Sequence, residues 1–337
     1  MEKITILGIE TSCDETAASV VINGRQMLSN IIASSSDYQA QFGGVVPEVA
    51  AREHIQAISQ VIDTSLQQAS VTLQDVTAIA ATQGPGLIGS LLVGFNYAKA
   101  LAYSANVPFI GVNHIHGHIA SCYINSNIKP PFLCLIVSGG HTSIILVNDY
   151  TTYNILGTTT DDAVGEAYDK VARLLHLPYP GGPQIDNIAP LGNAIINFPM
   201  PLTNNGLNFS YSGLKSSVIN YINSKNMKNE LIVKEDVAAS FQKAAIGVII
   251  SKTKQALLQT GIQTLCVCGG VAANSYLRNK ITLLANELNI NHHIPPPILC
   301  TDNGAMIAAC AYYKYKKGTT SKLSDNAYAR ACEHNGF

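Results

Sequence analysis

Three kinds of segment occur twice, in the same order, along this chain of 337 residues, and a chain that repeats itself in this way has few folds open to it. KITILGIE passes through TSCDET into AASVVI, and FLCLIV passes through SGGHT into SIILV; each reads as strand, polar turn, strand. VTAIAAT runs into GPGLIGS and a helix with Leu87, Ile88, Leu91, Leu92, Phe95 and Ala98 on its apolar face. Its counterpart TLCVCGG enters a helix carrying Leu277, Ile281, Leu284 and Leu288. PFIGV precedes NHIHGHIASCY, and PPPILC precedes TDNGAMIAACAYY, so a short apolar strand is expected before a helix in each copy, with Asn113 and Thr301 as N-caps. Strands alternating with helices predict an α/β protein of two duplicated lobes, each with a mixed sheet, around a central cleft where a ligand binds. The expected boundaries are a first lobe over 1–129, a second over 130–317 with an unmatched insertion at about 151–254, and a tail over 318–337.

Apolar residues make up 47% of the chain and charged residues 13%, which excludes disorder and predicts well-filled cores. The formal charge of −1 excludes a basic nucleic-acid coat, so any RNA contact needs a local patch. One lies between Leu214 and Lys254, where seven lysines face three acids; solvated helix faces are the alternative reading. The start, MEKITILGIE, is too short in its apolar run for a secretory signal, and no stretch of about 18 uncharged apolar residues predicts a membrane span. The eight cysteines are scattered, and Cys266 and Cys268 stand too close together for a zinc knuckle or a redox CxxC. Reduced thiols and a cytoplasmic protein are expected.

VNHIHGHIAS places His114, His116 and His118 at alternate positions. As a strand it points all three one way; as a helix it pairs His114 with His118, roughly 5–6 Å apart at Cβ, and turns His116 aside. The duplication favours the helix, and two imidazoles one turn apart suit one metal ion. Asp302 stands at the matching point of the second copy, so the two lobes would together offer two His and one Asp, with coordination positions left open. A pair of capped surface histidines is the bland alternative for HxxxH. A zinc protease would need Glu directly after the first His, and Ile115 stands there.

Gly84, Gly86 and Gly89 have the spacing of a dinucleotide fingerprint, but no acid follows at the ribose-binding distance, Pro85 removes an amide, and no Lys makes a Walker A loop. These glycines are expected to permit close helix–sheet packing. In VSGGHT, Gly139 and Gly140 would let backbone amides approach an anion, with Ser138 and His141 as further donors; an ordinary hairpin turn explains the segment equally well. Asp162, Glu166 and Asp169 share a helical face, opposite Val164, Tyr168, Val171 and Leu175. Such a stripe is either solvated surface or a place for a ribose diol. YPGGPQID adds a Gly181-Gly182 turn before Asp186, and GGVAAN brings Asn274 to a helix start; together they suggest a nucleotide site.

These motifs, with GVVPEVAAREH, FSYSGLKS, SFQ and CTDNGAMIA, cover nearly the whole chain in order and closely resemble the tRNA N6-adenosine threonylcarbamoyltransferase family, bacterial branch, once labelled sialoglycoprotein endopeptidases. The resemblance implies an actin-like, sugar-kinase-like fold and an acyltransferase of tRNA modification. It would move the threonylcarbamoyl group of threonylcarbamoyl-AMP to N6 of adenosine 37 in tRNAs reading codons that start with A, releasing AMP. It further implies one divalent metal per chain, Fe2+ first and Zn2+ as the alternative, on His114, His118 and Asp302. The donor would be held by Val137, Ser138, Gly139, Gly140 and His141, with Asp169, Gly182, Asp186 and Asn274. Partners implied are tRNA, a shorter metal-free paralogue as heterodimer partner, a small ATPase and a separate adenylate-forming enzyme. No general base is assigned; Asp14 and Glu15 in the first turn are candidates. Tyr211 and Ser216 depart from the family's usual Phe and Thr and touch no implied ligand.

Overall fold

The first strand–turn–strand is an antiparallel hairpin of β1 (Thr5–Glu10) and β2 (Glu15–Ile22). After it come β3 (Gln26–Met27), β4 (Ile31–Ser34), α1 (Ser36–Ala40), α2 (Pro47–Gln68), β5 (Ala78–Gly84), α3 (Ile88–Ala105), β6 (Phe109–Asn113) and α4 (His114–Ser121). β5 adds to β1 in parallel and β6 to β5, so the sheet runs β3-β2-β1-β5-β6, with β4 also on β2. The second copy opens alike, with β7 (Phe132–Val137) antiparallel to β8 (Thr142–Asp149) and β9 (Thr152–Thr158) beyond. α5 (Val164–Leu174), α6 (Gly181–Ile188), α7 (Ser212–Met227) and α8 (Lys234–Thr260) intervene before β10 (Thr264–Cys268), α9 (Ser275–Leu288), β11 (Asn291–His293), α10 (Pro297–Cys300) and α11 (Gly304–Lys316). The second sheet runs β9-β8-β7-β10-β11, its last two joins parallel. Strand for strand the two orders match, so the repeat seen in sequence is a repeat of topology.

The computed structural model describes residues 3–200 and 206–330, and its contacts divide the chain into one unit of 1–129 with 298–337 and a second of 130–297. Residues 298–317, expected in the second lobe, therefore pack with the first. The cause is α11, whose Ala305, Met306, Ile307, Ala308 and Ala309 are buried against β1, β2 and α4. Gly8 of β1 lies against the backbone of Gly304 and Ala308, where any Cβ would collide. Its neighbours Leu7 and Ile9 point to the other face, into a core with Ile58, Ile62, Phe95 and Ala98 of α2 and α3. β1 is thus covered on both sides, and all six of its residues are buried.

Three local expectations are corrected. PPPILC is not a strand; Asn291–His293 fills that place as β11, because successive prolines lack the N–H groups a parallel ladder needs. The N-cap of α11 is Asn303, whose Oδ1 accepts from Met306 N at 2.9 Å, and not Thr301. On α3, Leu91, Phe95 and Ala98 are buried as expected, but Ile88 and Leu92 are 46% and 43% exposed, since they lie off the stripe that meets the sheet. Among the described residues no helix is long and apolar enough to cross a membrane.

Candidate metal centre

β6 ends at Asn113, whose Oδ1 accepts from the amides of Ile115 (2.8 Å) and His116 (3.2 Å) and so starts α4 at His114. The helix answers the alternation of histidines. His114 and His118 share a face with ring centroids 4.6 Å apart, and the half-buried His116 is pushed down to about 4 by desolvation and by Lys314, so it is neutral at pH 7. Gly117 allows α4 to approach α11, since a Cβ there would come within 2.9 Å of Ile307 Cδ1.

Asp302 reaches both histidines from the turn before α11, with Oδ1 3.3 Å from His118 Nε2 and 3.6 Å from His114 Nε2. Ligand atoms held at 2.0–2.1 Å by one tetrahedral ion lie about 3.3 Å apart, so the spacing fits a metal. Burial points the same way. Among the described residues neither ring nitrogen of His118 has a hydrogen-bond partner although both are shielded from water, an omission that costs about 1–3 kcal/mol unless something else occupies them. All three residues belong to the first unit, so this group does not join two lobes as the sequence reading expected.

His114 is anchored behind. Its Nδ1 lies 3.1 Å from Glu10 Oε2 and 3.1 Å from Ser12 Oγ. Burial alone would lower this imidazole, but the carboxylates of Asp302 and Glu10 outweigh it and carry it up to about 9. The turn between β1 and β2 shares this electrostatic setting. Burial and then the charges of Asp302 and Asp14 push Glu15 well above the usual carboxylate range, and burial with the same acids raises the Cys13 thiol. Sequence reasoning missed Glu10; the signal available was a lone acid closing an otherwise uncharged strand.

The residues expected to hold a nucleotide all lie in the second unit. Val137 ends β7, and Ser138 to His141 form the turn into β8, with Ser138 Oγ accepting from His141 N at 3.1 Å. Gly139 and Gly140 are exposed, with open space where a Cβ would point. Behind the turn, Gly165 of α5 and Gly269 after β10 sit against the Ser138 and Val137 backbones, too close for a side chain. Asp169 accepts from Gly181 N at 2.8 Å and ties α5 to α6, where Gly182 is open. Asp186 accepts from Ser275 N and Oγ, both at 2.9 Å, tying α6 to α9. Asn274 caps α9 through Leu277 N and donates to Gln242 Oε1 (2.9 Å), which also takes the Tyr168 hydroxyl (3.3 Å). Beside these links is a cavity of about 480 Å³ lined by Pro190, Gln242, Lys243, Ser275, Tyr276 and Asn279 among others. The acidic stripe is split: Asp162 pairs with Lys170 and Lys215, whereas Asp169 faces α6.

A doubled hairpin-plus-two-parallel-strands topology, with a His/His/Asp group gathered in the first unit, defines an actin-like α/β protein. The fold is shared with (R)-2-hydroxyglutaryl-CoA dehydratase component A of Acidaminococcus fermentans, at a TM-score of 0.56 and 16% identity over 93% of this chain and 98% of that one. The family model described as tRNA N6-adenosine threonylcarbamoyltransferase matches residues 26–309. Proteins of that name from Clostridium botulinum (strain Kyoto / Type A2) and Clostridioides difficile (strain 630) are 53% and 54% identical to it, each over 97% of this chain and 97% and 98% of their own. The chain belongs to the tRNA N6-adenosine threonylcarbamoyltransferase family and is a tRNA-modifying transferase.

Proposed function

We propose that this chain transfers the threonylcarbamoyl group of threonylcarbamoyl-AMP to N6 of adenosine 37 in tRNAs that read codons starting with A. The N6 amine attacks the carbamoyl carbonyl carbon, the bond from that carbon to the phosphate oxygen breaks, and AMP leaves with the electron pair while N6 gives up one proton. The observation that carries the reading is the convergence of His114, His118 and Asp302, since a silent scaffold has no use for a buried His118 ring that no hydrogen bond among the described residues satisfies. These three residues would hold one divalent metal, Fe2+ first and Zn2+ as the alternative. Such an ion supplies Lewis acidity for a carbonyl or for charge growing on a phosphate.

In the second unit, the amides of Gly139 and Gly140 and the side chains of Ser138 and His141 would receive the donor's phosphate. Asp169, Gly182, Asp186 and Asn274 would hold its nucleoside. The adjoining cavity offers the Tyr276 ring and Pro190 to the base, with Gln242, Lys243 and Asn279 as polar edges. An enzyme acting on tRNA would work in the cytoplasm. A metal-free paralogue as heterodimer partner, a small ATPase and an adenylate-forming enzyme complete the proposed assembly.

The test is one assay with the purified chain, synthetic threonylcarbamoyl-AMP and unmodified tRNA, with and without the partner proteins, read by nucleoside mass spectrometry. Modified adenosine should form with the unsubstituted chain and vanish with His114→Ala, whose circular dichroism stays native. Full modification by His114→Ala would remove the metal from the reaction, and no modification by the complete assembly would refute the reading.

A further inference from the structure

Glu10 is fully buried, where a carboxylate is tolerated only if donors surround it. They do. Oε1 accepts from Ser12 N at 2.5 Å, and Oε2 accepts from Thr82 Oγ1 at 2.6 Å and from His114 Nδ1 at 3.1 Å. A carboxylate only accepts, so the last bond requires the proton of His114 on Nδ1. In the neutral ring that a metal would take up, this leaves the lone pair on Nε2, the atom that faces Asp302. We infer that Glu10 is the positioning residue of this centre, fixing the ring orientation and tautomer that make His114 an Nε2 ligand. The inference rests on the metal reading above and adds a residue to it.

The packing around Glu10 serves the same end and explains Gly86 and Gly94 of GPGLIGSLLVG. Residues Thr11 and Ser12, which follow Glu10, are held by α3 and its approach. Leu87 N donates to Ser12 O (2.8 Å), Gly94 N donates to Thr11 Oγ1 (3.1 Å), and that hydroxyl donates to Ser90 O (2.9 Å). A Cβ on Gly86 would stand 2.7 Å from Ser12 O, and one on Gly94 would run into the Thr11 side chain. The two glycines therefore let a helix press on the strand end that supplies the carboxylate. His118 has no equivalent support, as neither of its ring nitrogens is hydrogen-bonded. The two ligands are thus inequivalent, and only His114 depends on Glu10.

The experiment compares zinc affinity, by competition with a chromophoric chelator, with the imidazole 15N–1H spectrum of the zinc-saturated, histidine-labelled chain. Glu10→Gln can turn its amide toward Nδ1 and favour the wrong tautomer. It should weaken zinc by about 10–100-fold and shift or abolish the exchange-protected Nδ1–H signal of His114, with His118 signals unmoved. Thr82→Val keeps the carboxylate and removes one of its anchors; it should do the same to a lesser degree, and it is the deciding variant if Glu10→Gln does not fold. Unchanged affinity with an unchanged His114 signal in the folded variant overturns the role of Glu10. Zinc binding that is absent from the unsubstituted chain, or unaffected by His114→Ala, is a different failure. It overturns the metal reading, and this assignment with it.

Discussion

Tyr211 carries a hydroxyl that finds no partner among the described residues. Its ring is fully buried and stacked on Phe209 at 6.5 Å, and its oxygen makes no hydrogen bond among the described residues. An unsatisfied buried hydroxyl costs about 1–3 kcal/mol, so Tyr211→Phe is expected to raise stability by about 1 kcal/mol in urea denaturation with an unchanged slope. The same scale separates the three histidines. His118→Ala should weaken zinc more than about 100-fold, beyond the loss of an outer partner, and His116→Ala should leave zinc affinity as it was. The HxxxH pair was legible in sequence because spacing alone puts i and i+4 on one face. Glu10 was not, because its partners Thr82 and His114 come 72 and 104 residues later and a strand-ending acid looks the same whether solvent or an imidazole meets it.

At the scale of elements, α7 is held by a residue outside it. Asp161 accepts from Ser210 Oγ (2.5 Å), Tyr211 N (2.7 Å), Ser212 Oγ (2.7 Å) and Ser212 N (3.3 Å). Partial burial works to raise its carboxyl, but these bonds outweigh it and hold the group below the usual carboxylate range. A carboxyl depressed on folding stabilises above its unfolded value of about 3.9, and that support is lost as pH falls through the lower folded value. Exchange protection at the start of α7, taken relative to the intrinsic rate at each pH, should therefore fall as pH drops below about 4, and Asp161→Asn should show the same loss of protection at pH 7, about 0.5 kcal/mol because solvent screens the site. The amphipathic pattern of α5 was readable in advance. The Asp161 link was not, since a cap supplied 50 residues away has no local signature.

For the whole molecule, the decisive feature is that the chain leaves the first unit at residue 129 and returns to it at 298. A chain ended at 297 loses α11, the buried cover of β1 and β2, together with Asp302. It is expected to lose zinc binding and the cooperative unfolding of the first unit, read by isothermal titration and by hydrogen exchange in β1 and β5. Sequence by itself determined the repeated topology, the helical histidine pair and the family's motifs, because these depend on periodicity and spacing over a few residues. Only the tertiary structure decided which unit owns Asp302 and what stands behind His114. Both follow from surface that α11 must bury and from glycines at positions 8 and 304 whose missing side chains let one helix lie on one strand, a match between residues almost 300 apart in the chain.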